Sequence, residues 1–119
     1  MNTITRHLTS LPPSVAVYEG KPPSDAVGPM VCVYDGPPAP WNRRYGHTAR
    51  TRRQLWRIVC VGNTPLGAAT LAGLVVTAVD GMPGEASLIT VRNVSDPVED
   101  TTDPSQWRWS STVEAVHFT

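Results

Sequence analysis

Three histidines, two cysteines and ten carboxylates are the residues of this chain that could move protons, attack a carbonyl or hold a metal. Each of those chemistries needs several such groups to converge on one point. His7 stands in an N-terminal stretch, His47 in a Pro- and Arg-rich segment and His117 in a terminal apolar run, and no pattern draws them together. Ser10, Ser14, Ser110 and Ser111 lack the small-residue elbow that exposes a nucleophilic serine. Cys32 and Cys60 each sit inside an apolar run without the spacing of a redox pair or a zinc site. They are expected to be buried thiols acting as small hydrophobes, with a disulfide or metal pair as the alternative. Gly62 to Gly67 (GNTPLG) hints at a phosphate cradle. It lacks the Lys-Ser/Thr of a P-loop and the third glycine of a dinucleotide motif, so it reads as a tight turn into a capped helix. Asp96, Glu99, Asp100 and Asp103 could attract a divalent cation, but their spacing is not that of a calcium loop, and a solvated acidic loop is expected. The reading is a protein that is not an enzyme and uses neither cofactor nor metal.

The strongest feature is a run of arginines, NRRYGHTARTRR, from Asn42 to Arg53. Arg43, Arg44, Arg50, Arg52 and Arg53 carry its charge, with Trp41 and Tyr45 as aromatic neighbours. Three chemistries suit it. It can be a solvated loop. It can bind nucleic acid, arginines on phosphates and aromatic rings on bases. It can pair with carboxylates of another protein surface. The charge distribution favours the third. Residues 36 to 79 hold six arginines and no acid, a net of +6, whereas residues 80 to 119 hold seven acids and two arginines, a net of −5. The whole chain is neutral. A head-to-tail ring brings different surfaces of identical subunits together. A basic loop on one part of a subunit and the acidic surface Asp96, Glu99, Asp100 and Asp103 on another suit that geometry.

The elements that must position these segments are short. Residues 1 to 13 form a polar arm ending in Pro12-Pro13, with room for one turn of helix or a tail that orders on a partner. Val15 to Glu19 and Met30 to Asp35 read as strands, each ending in an acid and a glycine. Their endings, VYEGKPP and VYDGPP, echo each other. Pro37 to Arg53 reads as one long loop, of a size that tends to be functional or disordered. Gln54 to Val61 alternates, with Trp56, Ile58 and Cys60 on one face and Leu55, Arg57, Val59 and Val61 on the other, as a central strand would. Thr64 and Pro65 are a good N-cap and first helical residue. Leu71, Leu74, Val75, Ala78 and Val79 recur at helical spacing, and Gly81 is a good stop. Ser87 to Val94 and Trp107 to Phe118 read as strands on either side of an acidic loop over 95 to 106. The predicted order is β-β-β-α-β-β: an α+β domain with an antiparallel or mixed sheet and one main helix on a face.

At 119 residues the chain is one domain's worth, and its 40% hydrophobic content argues against wholesale disorder. Twelve prolines imply many turns. No apolar run approaches the roughly 20 residues of a membrane span. The N-terminus lacks the apolar core of a signal peptide, so the expectation is a protein made in a cytoplasm, without a membrane partner.

Val17 to Pro23 (VYEGKPP), Val31 to Pro37 (VCVYDGP) and Trp56 to Ala68 (WRIVCVGNTPLGA) resemble, in order, segments of the tail terminator, or tail completion, proteins of long-tailed actinobacteriophages. The resemblance covers residues 15 to 80. It implies a virion protein of the tail's neck region, assembled in the host cytoplasm: a homo-oligomeric ring, usually a hexamer, that caps the tail tube and ends its polymerisation. Its implied partners are itself, the major tail tube protein and the head-completion or connector protein. DNA would pass through the lumen without sequence-specific binding. The long loop after the second strand would face the tube or the lumen, which carries over onto Arg43, Arg44, Arg50, Arg52 and Arg53. The family commonly begins with a full helix, which the stretch before Pro12 is too short to provide. Another connector or minor tail protein, and a nucleic-acid-binding module using the arginine loop, are the alternatives.

Overall fold

The structure, a computed structural model, describes residues 2–23, 26, 28–36, 39–40, 52–85, 87–100 and 108–118. In chain order the elements are a 3-10 helix Thr5–Ser10, β1 Ala16–Glu19, β2 Met30–Asp35, β3 Ala39–Pro40, β4 Arg52–Gly62, α1 Pro65–Val79, β5 Thr90–Val94, β6 Val98–Asp100 and β7 Arg108–Phe118.

The two longest strands, β4 and β7, pair antiparallel from Arg53↔Phe118 to Gly62↔Trp109 without a break in register. Both sequences alternate, and side chains on a strand alternate between faces, so the shared register puts both apolar sets on one side. On the far edge of β4 lies β2, antiparallel, from Met30↔Val61 to Asp35↔Trp56. Where β2 ends, the Gly36 N–H donates to the Leu55 carbonyl at 2.9 Å, and β3 then takes up the same edge at Ala39↔Arg53. The opposite edge of β7 is likewise shared. β5 pairs from Thr90↔Val116, shifts register between Val91 and Asn93, and β6 continues to Asp100↔Arg108. β1 lies parallel to β2, which makes the sheet mixed, in the order β1-β2-β4-β7-β5.

α1 covers one face. Leu71, Ala72, Val75, Ala78 and Val79 pack against Val31, Ile58, Cys60, Val113 and Ala115, all buried. Thr64 caps the helix, its Oγ1 accepting from the Gly67 N–H at 2.9 Å, and Pro65 occupies the first turn. The helix closes at Gly81, whose φ of 77° few other residues adopt. The connection from β1 to β2 lies over the opposite face, where Ala26, Met30 and Cys32 are buried together. Arg108 fastens it, donating from Nη2 to the Ala26 carbonyl at 2.5 Å.

The expected α+β class and element order hold, with differences in detail. The N-terminal arm is no tail: Ile4 and Leu8 are fully buried in the core under α1, and apolar burial orders the segment. The expected loop over 37 to 53 gives up its ends to β3 and to the first two residues of β4, which pair with each other. The expected acidic loop over 95 to 106 contains β6, which pairs with β7. The strand expected from Ser87 begins at Thr90, since Leu88 is drawn into a bridge with Pro83. The echo between the first two strands has no structural symmetry: Tyr18 lies beside Cys32, not Tyr34.

The turn from β4 into α1 depends on Gly62, where a Cβ would fall 2.7 Å from the Ala68 nitrogen. Gly73, exposed in mid-helix, has nothing within 4 Å of that position. Urea unfolding should therefore show Gly62→Ala less stable by about 1–3 kcal/mol. Gly73→Ala should be more stable by about 0.5–1 kcal/mol. Equal effects from both would contradict this packing.

Candidate functional site

The residues singled out in the sequence divide between the ends of the β4–β7 ladder. Arg52 and Arg53 begin β4 beside Phe118, and Arg53 is exposed. Asp100 pairs with Arg108 and Glu99 with Trp109, at the end where Gly62 closes β4; Asp96 is exposed just before them. At about 3.3 Å per residue the two ends are about 30 Å apart. The backbone thus brings neither group to the other within one copy. Trp41, Arg43, Arg44, Tyr45, Arg50 and Asp103 lie outside the described residues.

The interior holds a polar pair that the sequence reading missed. The Trp56 Nε1–H donates to His117 Nε2 at 2.9 Å. An indole N–H only donates, so Nε2 accepts, and the ring proton sits on Nδ1, 3.1 Å from the Phe118 carbonyl. His117 is 2% exposed and Trp56 7%. The signal was the alternation itself. It sets His117 on the face of Val113 and Ala115, where a buried imidazole needs a partner, and sets Trp56 on the facing strand. Both rings are occupied with each other, which makes the pair a fastener of strand ends.

Among the described residues the other titratable groups form no catalytic set either. His7 Nε2 lies 2.9 Å from the Pro83 carbonyl and holds the N-terminal helix to the turn after α1. Burial raises both thiols above their ordinary range; for Cys60 the value is pushed up to about 12. Both are free and buried, hence protonated and unreactive at neutral pH. Among the described residues no group of three His, Cys, Asp or Glu side chains could hold a metal. The helix N-terminus at Gly62 to Gly67 carries the hydrogen bond of an ordinary N-cap, as expected of a turn.

Among the described residues, an apolar surface feature lies at the end where Gly62 closes β4. A groove of about 490 Å³ runs between the first turns of α1 and the starts of β1 and β2, lined by Val15, Pro29, Asn63, Leu66, Thr70 and Leu74 among others. Leu66 is 76% exposed and Leu74 41%. No residue of α1 is charged, which is unusual for a helix with an outward face.

No family model matches the chain, and no curated protein does so significantly.

Two outcomes check this interior. His117→Phe keeps a ring but removes the acceptor of a buried N–H, and should cost about 1–3 kcal/mol in urea unfolding. An unchanged stability would show the bond adds nothing. Folded Cys60 keeps its proton to about 12, whereas an exposed thiol titrates near 9.0. The unfolded chain alone therefore loses that proton first, and stability falls as pH rises from 9 towards 12. Cys60→Ala should flatten that fall in pH-dependent denaturation; an identical slope would contradict it.

Proposed function

We propose that this chain is a structural protein of a virion, forming a homo-oligomeric ring that caps the tail tube, ends its polymerisation and joins the tail to the head-completion complex. The observation that carries the reading is the placement of charge. Exposed Arg53 stands at one end of the β4–β7 ladder, and Asp96 and Glu99 stand towards the other. The fold keeps Arg53 apart from Asp96 and Glu99 within one copy, whereas head-to-tail association can bring them together. The ordered motifs shared with tail terminators supply the rest: VYEGKPP, VCVYDGP and WRIVCVGNTPLGA are, in the structure, β1 with its turn, β2, and β4 with the start of α1. A hexamer and a lumen through which DNA passes follow from that resemblance. The interior chemistry fits a scaffold, since His7, His117 and both thiols are committed to packing and hydrogen bonds.

Light scattering and negative-stain imaging of purified protein, alone at high concentration and mixed with tail tubes, test the proposal. Rings, in solution or seated on tube ends, are expected. Assembly should weaken as salt screens the paired charges, and Arg53→Glu should weaken it at low salt. A strict monomer that neither forms rings nor binds tubes would contradict the reading.

A further inference from the structure

β5 is the last strand on its side of the sheet, and among the described residues no strand lies beyond it. Its residues favour pairing: Thr90, Val91 and Val94 are β-branched, and Val94 is 45% exposed. An edge strand presents backbone N–H and C=O groups with which a second chain can pair. Along β5 these groups point alternately inward and outward. Just past its end the Ser95 N–H points inward, donating to the Thr112 carbonyl of β7 at 2.9 Å. The Val91 N–H points away from β7, and it is already met. It donates to Asp80 Oδ1 at 3.0 Å.

The end of α1 places Asp80 for this bond. The Asp80 N–H closes the helix on the Val76 carbonyl at 2.9 Å. Gly81, with φ 77°, then turns the chain, and its N–H donates to the Ile89 carbonyl at 2.8 Å. The helix end is therefore tied to the β5 side of the turn twice, once by backbone and once by the Asp80 carboxylate. That carboxylate fills the position that the carbonyl of an incoming strand would take, and its charge repels such a carbonyl. Two further features blunt the same edge. The register shifts between Val91 and Asn93, leaving exposed, charged Arg92 as the extra residue. Asp96 and Pro97 then separate β5 from β6, and Pro97 has no N–H to offer. The opposite edge strand, β1, has four residues, and so short an edge is protected by its length.

We propose that Asp80 guards the β5 edge: its carboxylate, held on the Val91 N–H, keeps that edge from pairing with the β5 edge of a second copy. The guard acts on free copies whether or not they go on to form rings, so it stands apart from the ring reading.

Three variants test it: Asp80→Ala, Asp80→Asn, and Asp80→Ala combined with Val94→Lys. Sedimentation and light scattering are read at concentrations where the parent is a single species, on samples whose tryptophan fluorescence shows them folded. Asp80→Ala should self-associate roughly tenfold or more tightly than the parent. Asp80→Asn keeps an amide oxygen for the Val91 N–H and should behave as the parent. A lysine at exposed position 94 protects an edge by its charge and should return the alanine variant to parental behaviour, which a role in stability alone would not do. Association of Asp80→Ala equal to the parent's, association of Asp80→Asn like that of the alanine variant, or no rescue by Val94→Lys each overturns the proposal. Hydrogen exchange on the parent needs no variant. The Val91 amide, although it faces away from β7, should exchange roughly tenfold or more slowly than an open amide, and exchange at the open rate overturns the guard.

Discussion

The unbroken register of β4 against β7 is the constraint on which the rest of the molecule depends. A slip of one residue would turn either Trp56, Ile58 and Cys60 or Val113, Ala115 and His117 away from α1, and set Arg57 or Glu114 beneath it. The Trp56–His117 hydrogen bond adds a directional check to the apolar pattern, because it is satisfied in one register alone. Everything else is hung on this pair. β2 and β3 share one outer edge, β5 and β6 share the other, and α1 lies across the face that both strands bury.

Much of this was legible in the residues. The alternation of Gln54 to Val61, the Thr64-Pro65 start and the Gly81 stop each state a local physical preference that the structure honours. What escaped was tertiary. Ala39–Pro40 and Val98–Asp100 have no strong strand character, and become strands because an unpaired edge of a longer neighbour needs hydrogen-bond partners. The turn of helix that the N-terminal arm has room for is present as Thr5–Ser10, whereas the burial of Ile4 and Leu8 that orders it was not readable. The parallel pairing of β1 with β2 rests on a connection that covers the second face, which no local pattern announces. For the candidate site, residue types and charge sign were readable, whereas their separation along the ladder emerged from register alone.

That separation gives the surface its meaning. Arg53 and the Asp96–Glu99 group stand at different ends of the ladder, and surface charges so placed act on the rate and orientation of an encounter more than on its affinity. The interior, with protonated thiols and a histidine engaged by tryptophan, is scaffold for these ends.

The central claim is that the chain works as a ring subunit at the end of a tail tube. Cryo-electron microscopy of the assembled particle tests it most directly. A closed ring of this chain between tube and head-completion proteins is the expected result. Particles in which the chain is absent, or present as isolated copies away from the tube end, would contradict it.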